Sequence, residues 1–194
     1  KLDYVRRVAG ALAWVALGHG DRVAVAGLAD SVESYAPPRR GRGVAPLVFQ
    51  ALEEVNPGGR TDLDAALGRY PRQRGTGIAL LFTDFLYPEG PDRALERLVS
   101  RGNEVHAFHV SSPADLRPAL SGDLLLVDAE TGEELPVTID EEVLDRYEAT
   151  VRAWADDMER TCRRLGVGYT RVSTAVPIET FVLDDLRRLG IVSR

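Results

Sequence analysis

The sequence has little of what builds covalent or metal-bound frameworks. It has one cysteine, Cys162, in 194 residues, so no internal disulfide can form and a cysteine-rich zinc site is excluded. That usage leans towards a cytoplasmic protein. It has three histidines. His19 falls in a helix-ending turn, and His106 and His109 are three apart on one expected strand, which puts them on opposite faces and unable to share an ion. No apolar run is long enough for a membrane. The charge-free stretch from Val8 to Gly20 has 13 residues, against about 20 for a spanning helix. It continues the helical period of KLDYVRR and reads as a buried helix, with no signal peptide before it. Positive charge is also short: 24 Lys and Arg face 30 Asp and Glu, a net charge of −6, which argues against a nucleic-acid partner. No Gly-x-Ser-x-Gly elbow and no complete Gly-x-Gly-x-x-Gly loop occurs, so serine-hydrolase and dinucleotide sites lack their signatures.

What is present is a core. The chain is 44% hydrophobic and 28% charged, the balance of a globular domain, and its length suits a single one. Leu2, Val5, Val8, Ala9, Leu12, Val15 and Ala16 recur at helical spacing and predict a helix over 2–17. DRVAVAGLA (21–29) and SVESYAPP (31–38) read as a strand hairpin, Pro37 and Pro38 marking an edge strand or its exit. RRGRG (39–43) reads as a basic loop. It is more simply a solvated connection than an anion site, though it could meet an acidic partner. Helices follow over 44–55 and 62–70, the second capped by Thr61 or a neighbour. GIALLFTDFLY (77–87) is the longest apolar strand and the candidate for the sheet centre. Then come a helix over 91–102, a strand over 103–112, a hairpin over 123–139 turning near Thr131-Gly132, a helix over 140–165, a strand over 167–174 and a closing helix over 177–190. Strand–helix alternation predicts an α/β fold with a mostly parallel sheet. Val143, Tyr147, Val151, Trp154, Met158, Cys162 and Leu165 form the expected buried stripe of the long helix, which makes Cys162 a core residue rather than a nucleophile.

Thr61 and Asp84 carry the chemistry. In open parallel sheets, ligands gather outside the carboxyl ends of the strands. Asp84 falls at such an end, and Thr61 begins the helix before the same strand, after the Gly58-Gly59 turn. A hydroxyl and a carboxylate are ligands for a hard cation such as Mg²⁺. The same residues also suit plainer tasks, Thr61 as a helix N-cap and Asp84 as the cap of a following turn. Asp62, Asp64 and Glu89 add carboxylates nearby, the first two suiting the first turn of a helix. Ser111 and Ser112 end another strand without a catalytic partner.

KLDYVRRVAGALAWVALGHGDRVAVAGLAD, GGRTDLDAAL, LLFTDF and DAETGEELPVT together resemble the domain of unknown function 58 family, over nearly the whole chain. The resemblance implies a bacterial protein of one domain, 1–194. Its fold would be a three-layer α/β/α von Willebrand factor A-like (Rossmann-like) one, with an antiparallel edge strand and an added hairpin near 123–139. It also implies a metal-ion-dependent adhesion site, in which Thr61 and Asp84 match two of three parts. The third, Asp-x-Ser-x-Ser after a first strand, is absent from this sequence. Since the chain starts with Lys, it is expected to be a piece of something longer that begins after that motif. The missing strand would lie between 21–29 and 77–87. A complete site would hold Mg²⁺ with one position open to an acidic residue of a partner protein, and the resemblance implies a MoxR-type AAA+ ATPase as that partner. An upstream region could bring membrane attachment. Two rivals remain at this point: a Mg²⁺-dependent phosphoryl-transfer or hydrolytic enzyme using Asp84, and a metal-free scaffold.

Overall fold

A computed structural model describes residues 1–29, 31–56, 61–70, 76–87, 90–128 and 132–185. The Gly58-Gly59 turn, Glu89, Thr131 and the closing helix beyond 185 lie outside them. Helix α1, Leu2–Gly18, leads into strand β1, Arg22–Leu28, and β2, Val32–Arg40. A 3₁₀ turn, Arg42–Val44, precedes α2, Ala45–Glu53, and α3, Leu63–Arg69. Strand β3, Ile78–Thr83, is followed by α4, Asp92–Ser100, and β4, Glu104–Ser111. A short helix α5, Pro113–Leu116, comes before the hairpin of β5, Gly122–Val127, and β6, Glu134–Ile139. Helix α6, Glu141–Arg164, β7, Gly168–Ser173, and α7, Ile178–Thr180, complete the order, the last running into a π-helical turn, Phe181–Asp185.

The parallel sheet has three strands in the order β3-β4-β7. The strand expected at the sheet centre, β3, is therefore an edge strand, and β4 holds the middle. The reason is pairing rather than composition. Val105, Ala107, Phe108, His109 and Val110 of β4 are buried, whereas Ile78 at the start of β3 is 59% exposed. Among the described residues, β1 pairs only with β2, antiparallel, and β5 only with β6. Pro37 and Pro38 do not end β2. They sit where two residues oppose one, between the pairs Val23↔Arg39 and Val25↔Ala36, and a bulge tolerates their missing N–H groups. The RRGRG segment is accordingly not a loop: Arg39 and Arg40 close β2, and Arg42 opens the 3₁₀ turn.

Helices cover both faces of the parallel sheet. On one face Val8 and Leu12 of α1 pack with Leu80, Phe82, Phe108, Val110, Val172 and Phe181. On the other, Leu63, Leu67, Leu95, Leu98, Met158 and Cys162 from α3, α4 and α6 enclose Ala79, Leu81, Val105 and Ala107. The distal half of α1 packs elsewhere: Ala13 and Leu17 meet Val23 and Val25 of β1 and Ala45, Val48 and Leu52 of α2. One helix thus packs against both β1 and β3, yet among the described residues no strand pairs the two. The expected α6 stripe holds over Trp154, Met158, Cys162 and Leu165 and departs at its amino end. Leu144, Ala155, Met158 and Cys162 are buried, while Val143 and Tyr147 are exposed, and the Tyr147 hydroxyl donates to the Asp115 carbonyl at 3.0 Å.

Candidate functional site

The carboxyl ends of β3 and β4 bring together three charged groups. β3 ends at Thr83, whose hydroxyl accepts from Phe85 N–H at 3.0 Å. Asp84 follows, its Oδ1 accepting from Leu86 N–H at 3.2 Å. Phe85 has φ 57, a left-handed conformation that a bulky side chain adopts at a cost of roughly 1–3 kcal/mol. It is held there by burial of its ring, 2% exposed, in the core. That reversal ends the strand four residues short of the expected Tyr87. It turns Asp84 outward while Phe85 turns in. Asp84 therefore does cap the following turn, as its plainer role required, and still presents Oδ2.

That second oxygen meets a cation. Lys1 Nζ lies 3.0 Å from Asp84 Oδ2 and 3.1 Å from Asp115 Oδ2. Burial alone would lower the Lys1 pKa, but its hydrogen bonds to Asp84 and Asp115 outweigh burial and raise it. Burial pushes the Asp115 carboxyl up, but the Ser112 N–H and the Lys1 ammonium hold it below its usual value. Asp115 was missed from the sequence. Its signal was there: Ser112-Pro-Ala-Asp115, directly after a strand, is a capping box, and both reciprocal hydrogen bonds form, at 2.9 and 3.3 Å.

Thr61 stands on the far side, at the end of β1. It is not the N-cap of α3. Asp62 is, accepting from Ala65 N–H at 2.9 Å, and Asp62 N–H is anchored to the Ala29 carbonyl at 3.1 Å. This leaves Thr61 at the carboxyl end of β1 without the capping duty its position suggested. Asp64 is paired with Arg97 at 2.7 Å. Tyr87, Asp62, Leu63 and Arg93 line a small cavity of about 110 Å³ beside these loops, and burial raises the Tyr87 hydroxyl pKa.

The histidines take structural places on opposite faces of β4. His106 Nε2 bonds the Thr170 hydroxyl at 2.9 Å. His109 is 5% exposed, bonds Tyr169 at 2.6 Å, and packs edge-on against Phe85 and Trp154. Burial, with Arg171 and Lys1 adding to it against Asp84 and Asp115, pulls its pKa down to about 4. Burial pushes the Cys162 thiol up to about 11, with Asp92 and Glu159 adding to the shift.

For a divalent cation the fit is partial. Asp84 and Asp115 already converge on one positive group, so the electrostatics of the spot favour a cation. Among the described residues, however, no three His, Cys, Asp or Glu side chains are arranged to hold a metal ion. Mg²⁺ requires six oxygens near 2.0–2.1 Å. The oxygens here could supply part of such a shell and would have to release Lys1 to do so.

Residues 1–157 match the family described as "Protein of unknown function DUF58". The chain belongs to this family. An uncharacterized protein of Mycobacterium avium is 36% identical over 110 residues, 56% of this chain and 64% of that protein. An uncharacterized protein of Mycobacterium tuberculosis strain H37Rv is 29% identical over 170 residues, 86% of this chain and 53% of the relative. This DUF58 chain therefore spans between half and two thirds of the length of these bacterial relatives. Among solved structures, an aerotolerance-related membrane protein from Bacteroides fragilis superposes with a TM-score of 0.52 at 15% identity, over 96% of this chain and 88% of that one. The likeness is one of fold. No described helix of the DUF58 chain is long and apolar enough to cross a membrane.

Proposed function

We propose that this DUF58 chain is a non-enzymatic interaction module of von Willebrand factor A-like fold. Thr61 and Asp84 would be its share of a Mg²⁺ adhesion site, and a strand inserted between β1 and β3 would complete both sheet and site. The observation that supports this is the pair of strand edges, one on β1 and one on β3, that α1 holds together and no described strand joins. Unpaired edges are costly to leave open, so a strand that bonds to both has a backbone driving force. Its carboxyl end would emerge between Thr61 and Asp84, where further oxygens would complete the shell. The bound ion would supply one open coordination position, and an acidic residue of a partner protein would fill it. The family resemblance suggests a MoxR-type AAA+ ATPase as that partner.

The test is calorimetric titration of Mg²⁺ and Mn²⁺ into this chain and into a version extended at its amino end with a strand carrying Asp-x-Ser-x-Ser. Each is compared with its Asp84→Ala variant. Binding in the extended protein alone, lost with Asp84→Ala, is the expected result. No binding in any version removes the metal bridge. With a MoxR-type ATPase, Asp84→Ala should weaken a metal-dependent complex without lowering the melting temperature; a complex indifferent to chelator overturns the bridging role.

A further inference from the structure

Two surfaces of the molecule remain unaccounted for, and they are complementary. The first is the β5–β6 hairpin. It pairs with no other described strand, and an isolated two-stranded hairpin is marginal in water. Leu126 and Leu135 sit directly across from one another, 39% and 60% exposed, and on the opposite face Leu125 and Val127 are 54% and 59% exposed. The segment 122–139 contains five Asp or Glu and no Lys, Arg or His. The second surface is the open end of the β1–β2 hairpin. Arg22 pairs with Arg40 and Val23 with Arg39, so three exposed arginines share that end. Arg42 follows and lies over the ring of Trp14, 5.4 Å from its centroid. Trp14 is 45% exposed. None of these four arginines forms an ion pair with a described carboxylate.

We propose that the chain self-associates head to tail, the acidic apolar hairpin of one copy docking on the arginine end and Trp14 of the next. The charge pattern selects this occupant. Hairpin-to-hairpin pairing would set acids against acids, which is unfavourable across strands. An anionic membrane surface would repel the same acids. A basic surface with an aromatic anchor satisfies both the apolar and the charged parts, and the molecule carries one. Burying Leu126, Leu135 and Trp14 supplies area-dependent attraction, and the arginines set orientation. Because the two patches differ, the contact is heterologous: in a pair, one copy keeps its arginine end unused and the other its hairpin, and further copies can add at both.

The experiment is sedimentation velocity over a range of protein concentrations with EDTA present, which leaves the Mg²⁺ proposal out of the measurement. The wild type should grow in mass with concentration at low salt and return to monomer at high salt. Two charge-swap variants test the geometry: Arg39→Glu with Arg40→Glu, and Asp123→Lys with Glu134→Lys. All four side chains are exposed, and unchanged circular dichroism and melting temperature confirm folding. Each variant alone should stay monomeric, since its two patches now repel. Mixed, they should co-assemble, because the reversed end of one matches the reversed hairpin of the other. A wild type that is monomeric throughout overturns the proposal. So does association that both variants retain, which would place the contact at the free edges of β1 and β3.

Discussion

Asp62, one position past the threonine that the sequence singles out, shows how fine the division of labour is. Its carboxylate holds the first turn of α3 and its N–H ties that turn to β1. Asp62→Ala should therefore destabilise the chain by about 1 kcal/mol, whereas Thr61→Ala should leave stability within about 0.5 kcal/mol of the wild type. Urea unfolding of the two variants checks this. A loss confined to Thr61→Ala would return the capping role to the hydroxyl. His109 gives a second expectation. Its pKa in the folded chain, about 4, lies below the ordinary value near 6.5. The unfolded chain therefore binds the proton first as pH falls. The contribution of neutral His109 is complete above about pH 6.5 and is lost between there and about pH 4, at up to roughly 1.4 kcal/mol per pH unit. His109→Phe should flatten that part of the stability–pH curve, measured by urea unfolding at successive pH values.

At the scale of elements, local pattern and pairing part company. α1, β4 and α6 were legible to within a residue or two, because their apolar spacing extends over many residues. The role of β3 was not. Its run of Ile, Ala, Leu, Leu and Phe is what a central strand would show, and only the absence of a described neighbour on one side makes it an edge. The site divided the same way. Asp84 was legible as a strand-end carboxylate. Lys1 and Asp115 were not, since nothing local relates residues 1, 84 and 115. The Val143 and Tyr147 error has a simpler cause. The expected stripe strayed by about one position at its amino end, where α6 faces α5 rather than the sheet. The His106 imidazole lies against Gly168 of β7: a methyl added there would come 2.3 Å from His106 Nδ1. Gly168→Ala should cost about 1–3 kcal/mol through overpacking. His106→Ala in the same background should recover part of that, a coupling visible in a double-mutant cycle of unfolding free energies.

For the molecule as a whole, the β1–β2 and β3–β4–β7 sheets have separate hydrogen-bond ladders and one shared clamp, α1. Hydrogen exchange should rank the strands accordingly. Amides of β4, paired on both sides, should be the slowest, and alternate amides of β1 and β3 should exchange orders of magnitude faster. Uniform protection of β3 would mean that its open edge is bonded in solution, by a second copy or another strand.

The clamp itself has a consequence for how the chain is made. The far half of α1, Ala13 and Leu17, is covered by residues no later than Leu52. The near half, Val8 and Leu12, packs with Leu80, Phe82, Phe108 and Val110 but also with Val172 and Phe181, the last of its partners to be made. On a ribosome adding about 5–20 residues per second, those last partners arrive roughly ten to thirty seconds after α1 is made. Until they arrive the near half of the first helix is only partly covered, so the nascent chain keeps part of that apolar stripe exposed to the translation machinery.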